Sequence, residues 1–418
     1  MNSTALPAKR VSALGNPGYR WHFSTYMLAM MADNIEHVIS YWVAFQKFHS
    51  PSLGGFAVIS HWVPFLLFSI PVGALADRFD PRRIIQIGQT LFIFVSLAWC
   101  VLFVTDTLEV WHAMVLLTLH GIAGVLWQGP SQVLLYDIVG PALLPSAVRL
   151  NASARYLGFL VGPALGGLIM LTIGPRYGLL LNACFYLPLL LWLWKAPYGP
   201  KFMAPGAQPR RAVRSFADIW QTLRDVAGNP ALFTMILLAG AASFFIGNAY
   251  HAQMPGFATD LGHGDPGTSY SMLLAADACG ALLAGVLLER LGILRATPRT
   301  ALALAAVWAV ALTAFALVRS YPLALLVLFV AGFVELSFSS TAQTIVQLNA
   351  PNEIRGRVIG VFQMASSGIR TFSGITVGLI GGWIGIPASL AVSVLVLLEV
   401  IGALFARWRV SAAVPART

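Results

Sequence analysis

Long apolar runs, separated by short clusters of charged, prolyl and glycyl residues, occupy almost the whole chain. Each run is about 20 residues or more, enough for a helix to cross the hydrocarbon layer of a bilayer, roughly 30 Å thick. The breaks predict spans over 23–47, 54–76, 84–105, 110–138, 147–173, 177–195, 231–258, 268–288, 300–318, 322–348, 357–382 and 388–407. One long polar connection, 196–230, contains Lys201, Arg210, Arg211, Arg214 and Arg224 and separates six spans from six. The expected fold is all-α: twelve transmembrane helices in two six-helix bundles, 1–195 and 231–418, joined by a linker loop at 196–230. An even number of spans puts both termini on one side.

Charge decides which side. The N-terminus, the loops after spans 2, 4, 6, 8 and 10, and the C-terminus hold 21 of the 26 lysines and arginines, whereas the opposite loops hold Lys47, Arg176 and Arg319. Basic loops stay in the cytoplasm, so both termini are expected there. The net charge of +10 is then a topology signal with attraction to anionic lipid, and nucleic acid is not an expected partner. Composition agrees: 58% of residues are hydrophobic and only 10% charged, against about 25% charged in soluble domains.

Lys9, Arg10 and Arg20 precede a first span too long for a cleavable leader, and the short outer loops favour a bacterial inner (plasma) membrane. Cys100, Cys184 and Cys279 all fall inside spans. Without metal-ligand spacing they are read as packing residues, with no disulfide framework or metal site. The chain contains neither a nucleophile elbow nor a phosphate-binding loop, so no enzyme activity and no cofactor are expected.

A short motif occurs twice. Gly73-Ala-Leu-Ala-Asp77-Arg78 closes one span and Gly285-Val-Leu-Leu-Glu289-Arg290 closes another, 212 positions later, with Arg82 and Arg83 behind the first copy and Arg295 and Arg299 behind the second. Pro145-x-x-x-Arg149 and Pro351-x-x-x-Arg355 echo each other 206 positions apart. Two related halves, pseudo-symmetric and with a substrate site between them, are a common plan for secondary transporters. Asp77, at a helix end, can accept from the positively polarised N-terminus of a facing helix, expected to be span 11. Arg78, Arg82 and Arg83 are expected to seek carboxylates or terminal carbonyls, or else only to fix topology. Such contacts exist only while the cytoplasmic side is closed.

These motifs resemble the major facilitator superfamily. Gly73 to Arg83 is similar to the family signature between helices 2 and 3, and Glu289-Arg290 occupies the matching place between helices 8 and 9. Ser50-Pro51-Ser52-Leu53-Gly54, Arg149-Leu150-Asn151-Ala152, Gly162-Pro163-Ala164-Leu165-Gly166-Gly167 and Arg355-Gly356-Arg357-Val358 resemble the branch containing the enterobactin exporter and macrolide efflux pumps. The resemblance implies drug:proton antiport. It also implies that helices 3, 6, 9 and 12 are peripheral, leaving Glu399 a structural or lipid-edge residue. One departure is that many proton-driven exporters carry an arginine in helix 4, where this chain has His120 nearby.

A charge near the bilayer centre costs roughly 2.5 to 3.5 kcal/mol on insertion scales, so each such residue needs a partner, a cavity or a role. Asp33 lies about 15 Å along span 1, with Glu36 and His37 one turn further on the same face, and His61 on span 2 reaches a similar depth. Together they can form a proton-binding cluster, or Asp33 and His37 can simply pair to hold the bundle. Asp137 sits near the inner end of span 4. Asp277 and Glu335 are further cavity acids, and Glu335 is expected to pair with Arg370 at matched depth. Arg155 and Arg370 are candidates for reading an anionic group, with Trp62, Trp127, Phe338, Gln128 and Asn248 as possible lining. Arg355 and Arg357 belong with the gate. Gly158, Gly162, Gly166 and Gly167, with Pro163, suit close helix approach and resemble an antiporter motif.

The expected function is secondary active transport by a functional monomer: proton-coupled efflux of an amphipathic small molecule, with import of an organic solute or ferric siderophore as the alternative. A non-transporting receptor is disfavoured by the duplicated gate.

Overall fold

A computed structural model describes residues 12–49, 51–199, 202, 216–247, 249–262, 268–292, 294–373 and 380–413. Among them all regular elements are helices: α1 (Pro17–Phe48), α2 (Pro51–Arg78), α3 (Pro81–Val104), α4 (Val110–Thr172), α5 (Gly174–Lys195), α6 (Phe216–Gly228), α7 (Pro230–Phe245), α8 (Ala249–Ala252), α9 (Met254–Asp260), α10 (Thr268–Leu291), α11 (Pro298–Leu317), α12 (Tyr321–Asn349), α13 (Arg355–Ser366), α14 (Ile380–Ile384) and α15 (Ile386–Ala413).

A straight helix as long as α4 would measure about 95 Å, three bilayer cores. It breaks at Gly140, where φ is +67° and ψ 176°, a left-handed region open to glycine. Pro141 follows at once and Pro145 one turn later, each lacking an amide donor. α4 therefore carries two of the expected spans. Eight described helices are long and apolar enough to cross a membrane, α4 among them.

The expected spans 1, 7 and 11 lie outside that set for physical reasons. In α1 the buried His22, Asp33, Asn34 and Glu36 dilute the apolar content. Expected as one helix over 231–258, span 7 is instead divided into α7, α8 and α9, with a left-handed Gly247 at φ +48° after α7. Span 11, expected over 357–382, is divided into α13, a 3-10 turn over Gly368–Phe372, and α14. The linker is described only in part, but its end is clear: α6 meets α7 at a 102° bend. There the Asn229 side chain accepts from the amides of Ala231 (3.0 Å) and Leu232 (3.2 Å).

One hydrophobic core, including Met235, Leu238, Trp308, Leu312 and Leu397, draws entirely on residues after 225. Two others, built around Tyr26, Phe92, Trp127 and Tyr186 and around Ile35, Trp99 and Leu116, draw entirely on residues before 200. Two smaller clusters join these regions. α2 meets α13 through Val72, Ala76 and Ile359, and the second part of α4 meets α10 through Ala152, Ala281, Ala284 and Leu288. Gly158, Gly162 and Gly166 rest against α1 at Met30, Asn34 and Val38. Gly167, expected in the same stripe, faces open space, and Pro163 is exposed, so neither takes part in that packing.

The closest approach within the second region is α10 on α12, where a Cβ on Gly280 would strike the backbone carbonyl of Phe329. Gly280→Val should cost about 1 to 3 kcal/mol, seen as a lowered melting temperature of the detergent-solubilised protein. An unchanged melting temperature would contradict this packing.

Candidate functional site

In the first half, α1 and the first part of α4 build a buried ionic cluster. His120 uses both ring nitrogens: Nδ1 lies 2.8 Å from Oε1 of Glu36, and Nε2 lies 2.9 Å from Oδ1 of Asp33. Glu36 Oε2 accepts from the Ser96 hydroxyl and from Asn182 Nδ2 at 3.3 Å. A hydrogen bond needs a proton between its heavy atoms, and neutral imidazole carries one N–H. Two carboxylate contacts on one imidazole therefore require one additional proton, whichever heavy atom holds it. With that proton the three side chains together carry one net negative charge.

His37 does not pair with Asp33. Its Nε2 lies 3.2 Å from Nδ1 of His61, and its ring centroid lies 4.5 Å from that of His120. Three imidazoles thus offer nitrogens within 4.8 Å of one another, a spacing that can suit a transition metal. Both nitrogens of His120 are already engaged by carboxylates, however, so within the trio only His37 and His61 are hydrogen-bonded to each other, and His37 meets His120 edge to face. His37 and His61 are half-buried.

The second half has its own cluster. His251 Nε2 lies 3.1 Å from Asp277 Oδ2, and the Tyr250 hydroxyl donates to Glu335 at 3.2 Å, with Asp277 Oδ1 at 3.5 Å. Among the described residues the expected Glu335–Arg370 ion pair does not form. Arg370 instead donates through Nε to the Ser366 carbonyl (2.9 Å) and lies over the Trp62 ring at 5.4 Å. Its charge and that of Glu335 still act on each other through space. The 3-10 turn that interrupts span 11 explains the change, because it redirects Arg370 away from the helical face on which matched depth was counted.

Trp127 and Phe338 are corrected from lining to core. Trp127 is fully buried against Tyr26 and Phe92, and Phe338 stacks on Trp308. Trp62 and Gln128 are half-buried and retain access. Asn248 lies outside the described residues. Glu399 is exposed on α15, whose neighbours α7 and α11 lie on its other side.

The repeated motif forms two reciprocal caps at one end of the molecule. Asp77 of α2 accepts from the first amides of α13, Gly356 N (2.6 Å) and Arg357 N (3.0 Å), and from Arg357 Nε (3.2 Å). Gly73 lies against the backbone of Gly356. In the other direction, Glu289 of α10 accepts from Ser146 Oγ (2.5 Å) and Arg149 Nη2 (3.1 Å) in α4, and Gly285 meets Ser153. Each half thus supplies a carboxylate to the other. The pairing adds residues that the motif alone did not indicate. Ser12 also donates to Glu289 (2.5 Å), Thr222 of α6 lies 3.4 Å from Arg357 Nη1, and Arg355 sits over the Tyr136 ring at 3.4 Å.

Not every basic residue of the motif crosses. Arg78 lies over the adjacent Phe79 ring and is exposed, as is Arg290. Arg82 binds Asp80 (2.6 Å) and the Ala196 carbonyl (2.5 Å), and Arg83 donates to Gln86 (2.9 Å). The contacts of Arg82 and Arg83 therefore stay within the first half.

His120, Tyr250 and His251 were not among the sequence-derived site residues. The signal for His120 was a solitary imidazole in the apolar run Leu116-Leu117-Thr118-Leu119-His120, which intramembrane cost alone marks as partnered.

Two helical bundles that cap one another and each hold buried ionisable groups define a membrane transporter. The chain belongs to the Major Facilitator Superfamily, whose family model matches residues 23–374. It is 25% identical over 330 residues to the multidrug efflux pump Tap of Mycolicibacterium fortuitum, covering 77% of this chain and 78% of Tap. It is also 25% identical over 176 residues to the staphyloferrin A transporter of Staphylococcus aureus, covering 42% of this chain and only 44% of that protein. Among solved structures, the Escherichia coli fucose:proton symporter FucP superposes with a TM-score of 0.69 at 14% identity, covering 94% of this chain and 98% of FucP. A bacterial homologue of the iron transporter ferroportin, in an outward-facing state, superposes with a TM-score of 0.66 at 17% identity over 93% of this chain and 99% of its own. At these identities the structural likeness establishes the fold.

The His120 cluster makes a direct energetic prediction. Removing one partner of a buried ion pair typically costs about 3 to 5 kcal/mol. In a double-mutant cycle on thermal unfolding, Asp33→Asn with His120→Gln should therefore lose clearly less than the sum of the single changes. Additive losses would mean that the pair is not formed.

Proposed function

We propose that the chain is a proton-coupled exporter of amphipathic small molecules that works by alternating access. The observation that carries this reading is the reciprocal pair of caps, Asp77 on α13 and Glu289 on α4, because they cross the boundary between halves at one end only and must break for that end to open. The halves are 1–195 and 231–418, with 196–230 as the linker. The distribution of basic residues supports a cytoplasmic location for the capped end and both termini, and the short outer loops support a bacterial inner membrane. In that assignment the structure corresponds to an outward-facing state.

Antiport takes up a proton on the side where substrate leaves. A proton-loaded Asp33–Glu36–His120 site in a state closed to the cytoplasm fits that order. Half-buried His37 and His61 lie beside this site and are the candidate entry residues for the proton, and a return to the inward state releases it. Loss of the proton leaves two carboxylates with only a neutral imidazole between them, a charge change large enough to bias the two conformations differently. Asp277, Glu335, Tyr250 and His251 form a second candidate site in the other half. Trp62, Gln128, Arg155 and Arg370 are the candidate substrate contacts. The transporter acts as a monomer.

Similarity to Tap over most of both chains supports efflux. Similarity to the staphyloferrin A transporter supports a second reading, proton-coupled import of a ferric siderophore or another organic solute. Accumulation in everted and right-side-out vesicles, with and without an imposed proton gradient, separates the two. Export predicts gradient-dependent loading of everted vesicles with dye-like amphiphiles, with at least a tenfold drop in Glu36→Gln and in His120→Gln. Loading of right-side-out vesicles alone would replace export by import, and undiminished gradient-driven loading in both variants would remove the proposed proton site.

A further inference from the structure

Three imidazoles from three separate helices share one small volume in the first half: His37 of α1, His61 of α2 and His120 of α4 each offer a ring nitrogen within 4.8 Å of the other two. His37 Nε2 and His61 Nδ1 are 3.2 Å apart. Two nitrogens bound to one tetrahedral ion at roughly 2.0 to 2.1 Å stand about 3.3 Å from each other, so this pair already has the spacing of two ligands on a shared metal. His120 is held from both sides by carboxylates, but not equally. Glu36, 2.8 Å from Nδ1, is itself fixed by Ser96 and Asn182. Asp33 lies 2.9 Å from Nε2, and its carboxylate has no other hydrogen-bond partner among the described residues. The exchangeable contact is therefore the one at Nε2. Aromatic rings surround the group: Tyr41 stands edge-on to His37, Phe92 edge-on to His120, and Trp62 edge-on to His61. An apolar shell of this kind limits solvent access to a metal site.

We infer that this is a binding site for a divalent transition ion of the zinc type, with His37 Nε2, His61 Nδ1 and His120 Nε2 as nitrogen ligands and the released Asp33 carboxylate as the fourth. In this arrangement His120 keeps its Nδ1–H on Glu36, and a carboxylate behind a ligating imidazole fixes the tautomer and orientation of the ring. Charge supports the same class of ion. With neutral imidazoles, Asp33 and Glu36 bring two negative charges into a buried site, which is costly. A divalent cation cancels both, whereas a single proton leaves one uncompensated. Three imidazoles and a carboxylate are a donor set that suits zinc, while calcium and magnesium favour oxygen ligands. The present spacing of up to 4.8 Å has to shorten on binding, a movement that side-chain rotation of half-buried His37 and His61 supplies. The ion enters at the Asp33–His120 contact, so it and the proton of that contact exclude one another. The site stands apart from the transport reading, since nothing in it requires a substrate or a moving half.

The test is equilibrium binding of Zn²⁺, by competition with a chromophoric chelator, and of Co²⁺, by its visible absorption, to the untagged full-length protein in lipid nanodiscs. One ion per chain should bind at micromolar concentration or below. Co²⁺ should give the intense absorption of a four-coordinate site, and excess Zn²⁺ should abolish it. His37→Gln and His61→Gln should each weaken binding at least tenfold. Glu36→Gln, which removes the support behind His120, should weaken it about ten- to hundredfold. His112→Gln, at the start of α4 and outside the cluster, should leave it unchanged. If a histidine variant does not fold, the wild-type stoichiometry and the Co²⁺ spectrum still decide. Binding only at millimolar concentration, the weak absorption of six-coordinate Co²⁺, or an affinity that survives both His37→Gln and His61→Gln overturns the inference.

Discussion

A carboxylate from one half, buried at the first turn of a helix in the other, is the contact on which this conformation depends. Asp77 is 3% exposed, so water cannot replace its partners, and three N–H groups of Gly356 and Arg357 converge on it. Hydrogen bonds to a charged group contribute about 1.5 to 3 kcal/mol each, and the amides at a helix N-terminus lie at the positive end of its dipole. The geometry also explains the glycine. A side chain at position 356 would run into the backbone of Gly73 and the Asp77 carboxylate itself. Glu289 repeats the arrangement with different donors, trading backbone amides for Ser146, Ser12 and Arg149, so it depends on side chains and on the N-terminal segment. The two caps are related by the internal repeat but are not equivalent.

Polar contacts elsewhere are partitioned in a way that suits rigid-body motion. The Asp33–Glu36–His120 group lies wholly in the first half, and the Asp277–His251 and Glu335–Tyr250 pairs lie wholly in the second. Each bundle can rotate without breaking them. Besides the caps, a buried Gln347–Gln132 hydrogen bond of 2.8 Å joins α12 to α4, and Arg355 lies over Tyr136. Among the described residues no continuous chain of ion pairs links His120 to the caps, so helices are what join them. α1 and α4 hold the cluster, and α4 also carries Ser146 and Arg149 beyond its break at Gly140. The same helix thus connects the His120 cluster and the second cap.

Much of this architecture was legible in the sequence because the bilayer imposes it. Apolar length located the spans, and the repeated Gly-x-x-x-acid-Arg motif located both capping carboxylates, since Asp77 and Glu289 occupy corresponding places at helix ends. What was not legible depended on breaks. Hydropathy cannot distinguish a continuous span from one interrupted by Gly247 or by the turn at Gly368–Phe372, so the depth of Arg370 was counted along a helix that is not continuous, and its pairing with Glu335 was misassigned. Span 1 was correctly marked as rich in ionisable groups, yet the partner lay 84 residues from Glu36 on a different helix. Helical spacing orders residues within α1 but says nothing about which neighbour faces them. Trp127 and Trp62 show the same limit: both are span tryptophans, and only packing separates the one buried beside Phe92 from the half-buried one under Arg370.

The central claim is that the two caps hold one end of the transporter shut. The direct measurement is the distance between spin labels at Arg83 and Arg299, exposed residues on opposite halves near that end, recorded by pulsed electron resonance in nanodiscs after replacement of Cys100, Cys184 and Cys279. The wild type should show a dominant short distance. The double change Asp77→Asn with Glu289→Gln should move most of the population to a longer one without loss of folded protein. A distance distribution that is the same in the wild type and the double variant would show that something other than the caps closes this end.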